Sequence, residues 1–541
     1  MSTRALMGRG PVPLVVLAMV GLCGAAAVGQ GTRGGGVPAL QPLGTSKGQQ
    51  YSRLVVRNGM VVNGRGTPAE GPMDIVVERD RIVDMIPVDP VSLRGYGPAF
   101  TRPDGDRVID ATGMYVLPGL IDMHGHVPGD HEERVGAQGM AYAFRLWLGQ
   151  GVTTLRDPGT GAGLKLMVEQ RRLSEANEIV APRLRLYMRW PGTSRRGAAG
   201  HTPEEARALV RQFREQGADG IKVSKGPGHF PDVIAAICDE AKKLGMGVAV
   251  DLKVSETDAV IASNAGVTSI EHWYGVPDAA IPGSQSFPSS YNYWDELDRF
   301  RYAGKLWAEA DRDPAKILEV LDLMIRNGTA WDPTMVVYEA NRDLTRVLNL
   351  PWREGYALPS LIEHWAPNPA HHASFHSEWT TTDETWWKEN YHIWMKYIRE
   401  FFNRGGRLTV GSDAGTQQAL WGFSSIRELE LLQEAGIHPI DIIKIATTDS
   451  AEVLGLKDQS GLRIANIADI IVVDGNPLEN FKVLYGMGYD RYLPDGRQER
   501  RGGVHWTIKA GVVFDARALL REVEWYVRQA KSPSATSQPR Q

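Results

Sequence analysis

The hydrophobic rhythm of the chain changes twice. From 51 to 115, apolar and polar residues alternate in short runs rich in β-branched side chains: "YSRLVVRNGMVVNG", "MDIVVERDRIVDMIP" and "RVIDATGMYVLP". Asn-Gly and Arg-Asp pairs punctuate these runs, and period-two alternation between turn signals predicts strands. The signature returns between 461 and 520, in "ADIIVVDGNPL" and "VHWTIKAGVVFDA". Two β segments around a differently patterned region predict one small β-sandwich-like domain formed by both chain ends, with residues 116–460 inserted into it.

Within 116–460, short apolar strands alternate with amphipathic helices. "HTPEEARALVRQFREQGADGIKVSKG" reads as a helix feeding a strand: Thr202 suits the N-cap, Pro203 the first turn and Glu205 a capping box. "KKLGMGVAVDLK", "AVIASNAGVTSIEHW", "NGTAWDPTMVV" and "RGGRLTVGSDAGT" repeat the alternation. Units of about thirty to forty residues predict an α/β fold, a (β/α)8 TIM barrel. Residues 275–400 interrupt the rhythm. Eleven of the 15 tryptophans lie between Trp273 and Trp421, and His364, His371, His372, His376 and His392 lie in the same region. An elaborated region over one barrel face is expected, its tryptophans serving as a substrate wall or an oligomer contact.

The start of the chain belongs to neither pattern. Arg4 and Arg9 precede "PVPLVVLAMVGLCGAAAVG". A charged start, an apolar centre and small residues before Gln30 describe a secretory signal over 1–29, cleaved near Gly29. The alternative is an N-terminal membrane anchor, for which this apolar run is near the lower length limit. Export places the mature protein in a secreted or periplasmic location. Residues 30–50 are Gly-rich and read as a flexible linker, and 521–541 as a C-terminal tail. Cys23 leaves with the signal, so Cys238 cannot form an internal disulfide; its amphipathic setting, "VIAAICDEAKKLG", suits a buried apolar residue. The 541 residues are 43% hydrophobic, ample for a large core. Sixty basic and 64 acidic residues give a net charge of −4, which argues against nucleic acid or an anionic membrane as partner. A small-molecule substrate is expected, and a homo-oligomer remains open.

The chemistry sits at strand ends. "VLPGLIDMHGHVPGD", residues 116–130, runs an apolar strand into His124 and His126. Positions i and i+2 share a face of a strand, so both histidines point one way, as does Asp122. At the C-terminal mouth of a barrel, two imidazoles suit a divalent metal. His-x-His alone is a weak signal. Lys222 after "GADGIKV", Glu271 and His272 in "TSIEHW" and Asp413 in "LTVGSDAG" strengthen it, because each ends an apolar strand with a polar group.

"VLPGLIDMHGH", "GVTTLRDPG", "GADGIKV", "AGVTSIEHW", "GSDAG" and "ADIIVVDGNPLEN" together resemble the amidohydrolase superfamily, in particular its imidazolonepropionase-like metal-dependent hydrolases and secreted dipeptidases. The resemblance covers most of residues 52–515. It implies that His124 and His126 bind a first metal, that Lys222 is carbamylated and bridges two metals, that His272 binds the second, and that Asp413 touches the first metal and serves as general base. One or two divalent ions per chain, zinc or else manganese, follow from it.

One position departs from the pattern. The family places His at the end of the fifth strand, where "GVAVDLKV" has Asp251. Three outcomes are open: Asp251 serves as an altered ligand that favours harder cations; the site is mononuclear; or Asp251 pairs with Lys222 or Lys253. The leading function is hydrolysis of an amide, cyclic amide or dipeptide-like C–N bond. Lactone hydrolysis or deamination on the same site, and a non-catalytic binding barrel, are the alternatives. His371, His372 and His376 read as loop or lid, Asp157 as structural with Arg156 as its partner or a substrate contact, and Arg156, Arg189 or Lys225 as candidates for an anionic substrate end.

Overall fold

The computed structural model describes residues 43–532, except 45, 98, 130–133, 137, 192–199, 225–229, 253–256, 284–294 and 369–377. The signal and most of the linker, Lys225, Lys253, His371, His372 and His376 lie outside the described residues.

Seven strands form one parallel sheet in chain order: β1 (Leu120–Asp122), β2 (Val152–Gly159), β3 (Arg183–Arg189), β4 (Gly220–Ser224), β5 (Gly247–Asp251), β6 (Ser269–Glu271) and β7 (Ala330–Asp332). All residues of β2 and β4 are buried, as expected for parallel strands covered by helices. Residues 407–414 run between the two edge strands. Trp331 N donates to Arg407 O and Thr409 N to Trp331 O on the β7 side, while Met123 N donates to Val410 O and His126 N to Ala414 O on the β1 side. The curled sheet is therefore hydrogen-bonded at both edges to one segment, a TIM-barrel-like arrangement. Gly411 makes that contact close: a Cβ there would lie 2.5 Å from Asp332 Oδ1 and 2.6 Å from His124 Cβ.

Helices α1 (Gly139–Gly149), α2 (Leu164–Glu175), α3 (Pro203–Glu215), α4 (Pro231–Lys243), α5 (Ala259–Ala265) and α6 (Pro314–Arg326) intervene between the strands. Thr202 caps α3 by accepting from Glu205 N, but Glu205 turns its carboxylate to His201 N, one residue before the cap. Cys238, on α4, is buried and its thiol is pushed up to about 12 by burial, so it is an inert apolar group.

The region after β6 is helical. In it α7 (Thr381–Asn403) lays Trp387 and Trp394 against Trp273, and Trp307 stacks on Tyr397 with ring centroids 5.5 Å apart. Trp273, Trp307, Trp331, Trp387 and Trp394 are fully buried. These tryptophans build neither a substrate wall nor an oligomer face; they are the internal core on which this elaboration rests.

The segments flanking the barrel meet in one sheet. Tyr115–Pro118 pairs antiparallel with Ile470–Val473, which pairs with Val504–Lys509. Arg53–Val61, Glu70–Glu78, Arg81–Pro87 and Arg107–Asp110 extend it on one side, and Val512–Asp515 and Gln49–Gln50 on the other. Leu54, Val56, Ile75, Val77, Val116, Ile470 and Ile508 form its apolar core. The last helix, α8 (Phe423–Glu434) having preceded it, is α9 (Ala516–Lys531), which docks on α1 with Leu520 against Gly149. Ordered structure thus continues to Lys531, inside the stretch read from sequence as a tail. No helix among the described residues is long and apolar enough to cross a membrane.

Candidate active site

The C-terminal edge of the parallel sheet surrounds a cavity of about 200 Å³. His124, His126, Lys222, Asp251, His272 and Asp413 all line it, with Arg134, Arg189, Ser224, Tyr338 and Gln417 around them. Three residues just past the strand ends hold left-handed backbone: His272 after β6 (φ 62°), Thr334 after β7 (φ 47°) and Asp413 in the closing segment (φ 47°). Such conformations cost about 1–3 kcal/mol each in residues with a Cβ, and they cluster where side-chain aim matters.

Asp413 sits between two donor groups. Its Oδ1 lies 2.9 Å from His126 Nε2 and 3.7 Å from His124 Nε2. Its Oδ2 lies 3.8 Å from His272 Nε2, which is 3.8 Å from Asp251 Oδ2. Burial opposes ionisation of Asp413, but His124 and His126 overcome it and hold the carboxyl well below its ordinary range.

The imidazoles are oriented from behind. His124 Nδ1 lies 2.6 Å from Glu271 Oε2, an ion-pair contact that braces the ring from behind. Burial, with the Lys222 charge beside it, drives the His124 pKa well below its ordinary value. Thr334 does the same for His272. Its hydroxyl donates to Pro333 O at 2.7 Å, so it accepts from His272 Nδ1 and leaves Nε2 free of a proton. Tyr338 packs edge-on against His272, centroids 5.6 Å apart, and stacks on Trp387.

Beneath the cavity lies a buried charge cluster. Arg156, on β2, donates to Glu271 Oε2 at 2.6 Å, to Asp332 Oδ2 at 3.0 Å and to Ser269 Oγ at 3.0 Å. Burial opposes charge on Glu271, yet Arg156 and Lys222 hold its pKa well below the usual range. Burial, and then the neighbouring Glu271 anion, push the Asp332 pKa well above the usual carboxylate range. Donor atoms of His124, Glu271 and Asp332 also converge, but the Arg156 guanidinium already supplies the cation there. Arg156 is neither a partner of Asp157 nor a substrate contact. Asp157 is buried separately, and burial raises it to about 7. Arg189 does reach the cavity wall.

Asp122 faces away from the role that strand alternation suggested. It accepts from Ser412 Oγ at 2.6 Å, Ser425 Oγ at 2.7 Å and Trp147 Nε1 at 3.1 Å. It ties β1 to the closing segment, α8 and α1.

Lys222 Nζ is buried with no hydrogen-bond partner among the described residues; its nearest anion is Glu271 Oε2 at 3.7 Å. Burial lowers its pKa. An orphaned amine, imidazole Nε2 atoms of His124, His126 and His272 and a carboxylate between them fit a divalent cation site. His124, His126 and Asp413 bring three donors within 4.8 Å of one another. Asp332, Thr334 and Tyr338 were missed by sequence reasoning. Asp332 carried the same strand-end signal as Asp413, in "TAWDP"; Thr334 and Tyr338 carried none.

The model of the amidohydrolase family matches residues 115–488. A dihydroorotase of Solibacter usitatus (strain Ellin6076) is 38% identical over 93 residues, a stretch covering 17% of this chain and 19% of that protein. The structure of a Xaa-Pro dipeptidase with bound methionine in its active site is 21% identical, with a TM-score of 0.59 over 86% of this chain and 100% of that one. Bottromycin amidohydrolase is 19% identical, with a TM-score of 0.62 over 89% of this chain and 92% of that one.

Proposed function

This chain belongs to the amidohydrolase family, and from that premise we propose that it is a metal-dependent hydrolase of carbon–nitrogen bonds in amide, cyclic amide or dipeptide-like substrates, built on a (β/α)8 barrel. The observation that carries the reading is Asp413, held between the Nε2 atoms of His124, His126 and His272 at the mouth of the parallel sheet. His124, His126 and Asp413 hold one divalent cation, zinc in the simplest case; His272, Asp251 and Lys222, the last as a carbamate, hold a second. A plain ammonium has no lone pair to give, so only the carbamate makes Lys222 a ligand.

A bound divalent cation supplies Lewis acidity to the scissile carbonyl and eases deprotonation of water. Asp413, ionised by its imidazole neighbours, takes the proton from the attacking water and passes it to the departing amine. Glu271 and Thr334 fix the rings of His124 and His272 while this happens. Arg189 and Arg134, on the cavity wall, suit an anionic end of the substrate. The charged start and apolar run over 1–29 read as a leader, and with it goes a secreted or periplasmic location.

The test is hydrolysis by metal-loaded protein of a panel of dipeptides, N-acyl amino acids, cyclic amides, lactones and aminated heterocycles, with product analysis. A carboxylate with an amine is the expected product; a hydroxy acid or ammonia alone points to lactonase or deaminase chemistry. On whichever substrate turns over, Asp413→Asn should lose about 10²- to 10⁴-fold in kcat with its circular dichroism unchanged. Full activity in that variant would remove Asp413 as the base.

A further inference from the structure

We propose that the two cation positions are chemically unequal, and that the centre is built for two different metals. The inference rests on the metal-dependent reading above and deepens it.

The donors divide by element around Asp413. On its Oδ1 side stand two imidazole nitrogens, His124 Nε2 at 3.7 Å and His126 Nε2 at 2.9 Å. On its Oδ2 side stands one imidazole, His272 Nε2 at 3.8 Å, and behind it a carboxylate, Asp251 Oδ2, 3.8 Å from that nitrogen. Lys222, which lines the same cavity, contributes oxygen to both positions if it carries a bridging carbamate. The first position therefore offers two nitrogens and one oxygen. The second offers one nitrogen, from His272, and the Asp251 carboxylate, with a Lys222 carbamate shared between the two positions.

Imidazole suits zinc, and carboxylate oxygen suits manganese and magnesium. Zinc outranks manganese at most mixed sites, so an oxygen-rich position narrows the gap without abolishing it. Geometry reinforces this. Asp251 ends β5 in register with Ser224, the last residue of β4, and both line the cavity. The wall of the second position thus carries a carboxylate and a hydroxyl side by side, an environment that suits a cation with more than four oxygen ligands. Glu271 holds His124 from behind and adds nothing to the second position, so the asymmetry belongs to the ligands.

The experiment uses the metals alone. Metal-free full-length protein and its Asp251→His variant are each incubated with bicarbonate, two equivalents of zinc and an excess of manganese of about a hundredfold, passed through a desalting column, and assayed for both metals. Electron paramagnetic resonance of bound manganese gives a second readout. About one zinc and one manganese per chain is expected in the wild type. About two zinc is expected in Asp251→His, with bound manganese reduced about tenfold or more. Asp251→Asn should keep the first zinc and lose the manganese. Two zinc in wild type and variant alike, or one zinc with the second position empty in both, would overturn the inequality while leaving a metal hydrolase in place. No bound metal in any of the proteins would overturn the inequality together with the reading beneath it.

Discussion

Glu271 shows how much rests on one side chain that touches no substrate. It braces His124, answers Arg156 and is the nearest anion to Lys222. Replacing it by Gln keeps the shape but removes the charge, leaving a buried guanidinium short of its main counter-ion. A carboxylate behind a metal-binding imidazole typically contributes about 10–100-fold to metal affinity. A broken buried ion pair costs about 3–5 kcal/mol. Glu271→Gln should therefore weaken zinc binding in a chelator competition by that factor and lower the urea midpoint. Unchanged zinc affinity would reduce Glu271 to a structural counter-ion. At this scale the sequence was legible at several positions where a polar residue closed an apolar strand, as at His124, Lys222, His272 and Asp413, though not at Asp332. It was silent where the contact depends on left-handed backbone after the strand, as at Thr334. Alternation misled at Asp122, because Trp147, Ser412 and Ser425 gather around its carboxylate and their positions in sequence do not announce it.

Elements were easier to read than their contacts. The strands and α3 followed from period and caps. The amphipathic α9 was passed over although Leu519, Leu520, Val523 and Val527 recur at helical spacing. The tryptophans of the late region were legible as a cluster but not as a core, since burial depends on how α7 folds back. One link between elements has a measurable consequence. Glu428, on α8, accepts from Met335 N at 2.9 Å and Val336 N at 2.8 Å, and so holds the loop that carries Thr334. Burial raises its pKa from 4.5 to about 8. A carboxyl whose folded pKa is raised binds its proton more tightly in the folded state, so its contribution is full below about 4.5 and is lost as pH rises through about 8. Glu428→Gln cannot ionise. Its stability deficit relative to wild type should shrink from pH 5 to pH 8.5 in denaturant titrations; a constant deficit would mean that Glu428 does not titrate in that window.

For the whole molecule, a cation bound at the mouth of the sheet couples to every strand that supplies a donor. Binding only to the folded chain stabilises it by about 3 kcal/mol at a hundredfold excess over Kd. Zinc should raise the Tm of wild type, a chelator should reverse the rise, and His124→Ala with His126→Ala should abolish it. A Tm indifferent to zinc would argue that the donors do not bind it in the native state.

The shared sheet has a temporal consequence. Gln49 pairs with Val513, and Tyr115–Pro118 pairs with Ile470–Val473. Strands synthesised first thus depend on strands synthesised last, at about 5–20 residues per second. The nascent chain carries an unfilled sheet edge through nearly the whole of translation, and the final closure has high contact order. Such a latch delays locking of the native state until the strands of residues 461–515 are present. A fragment ending at residue 460 should therefore remain protease-sensitive across 53–118, and supplying 461–541 as a separate peptide should restore protection; early protection without that peptide would show that the N-terminal strands close on their own.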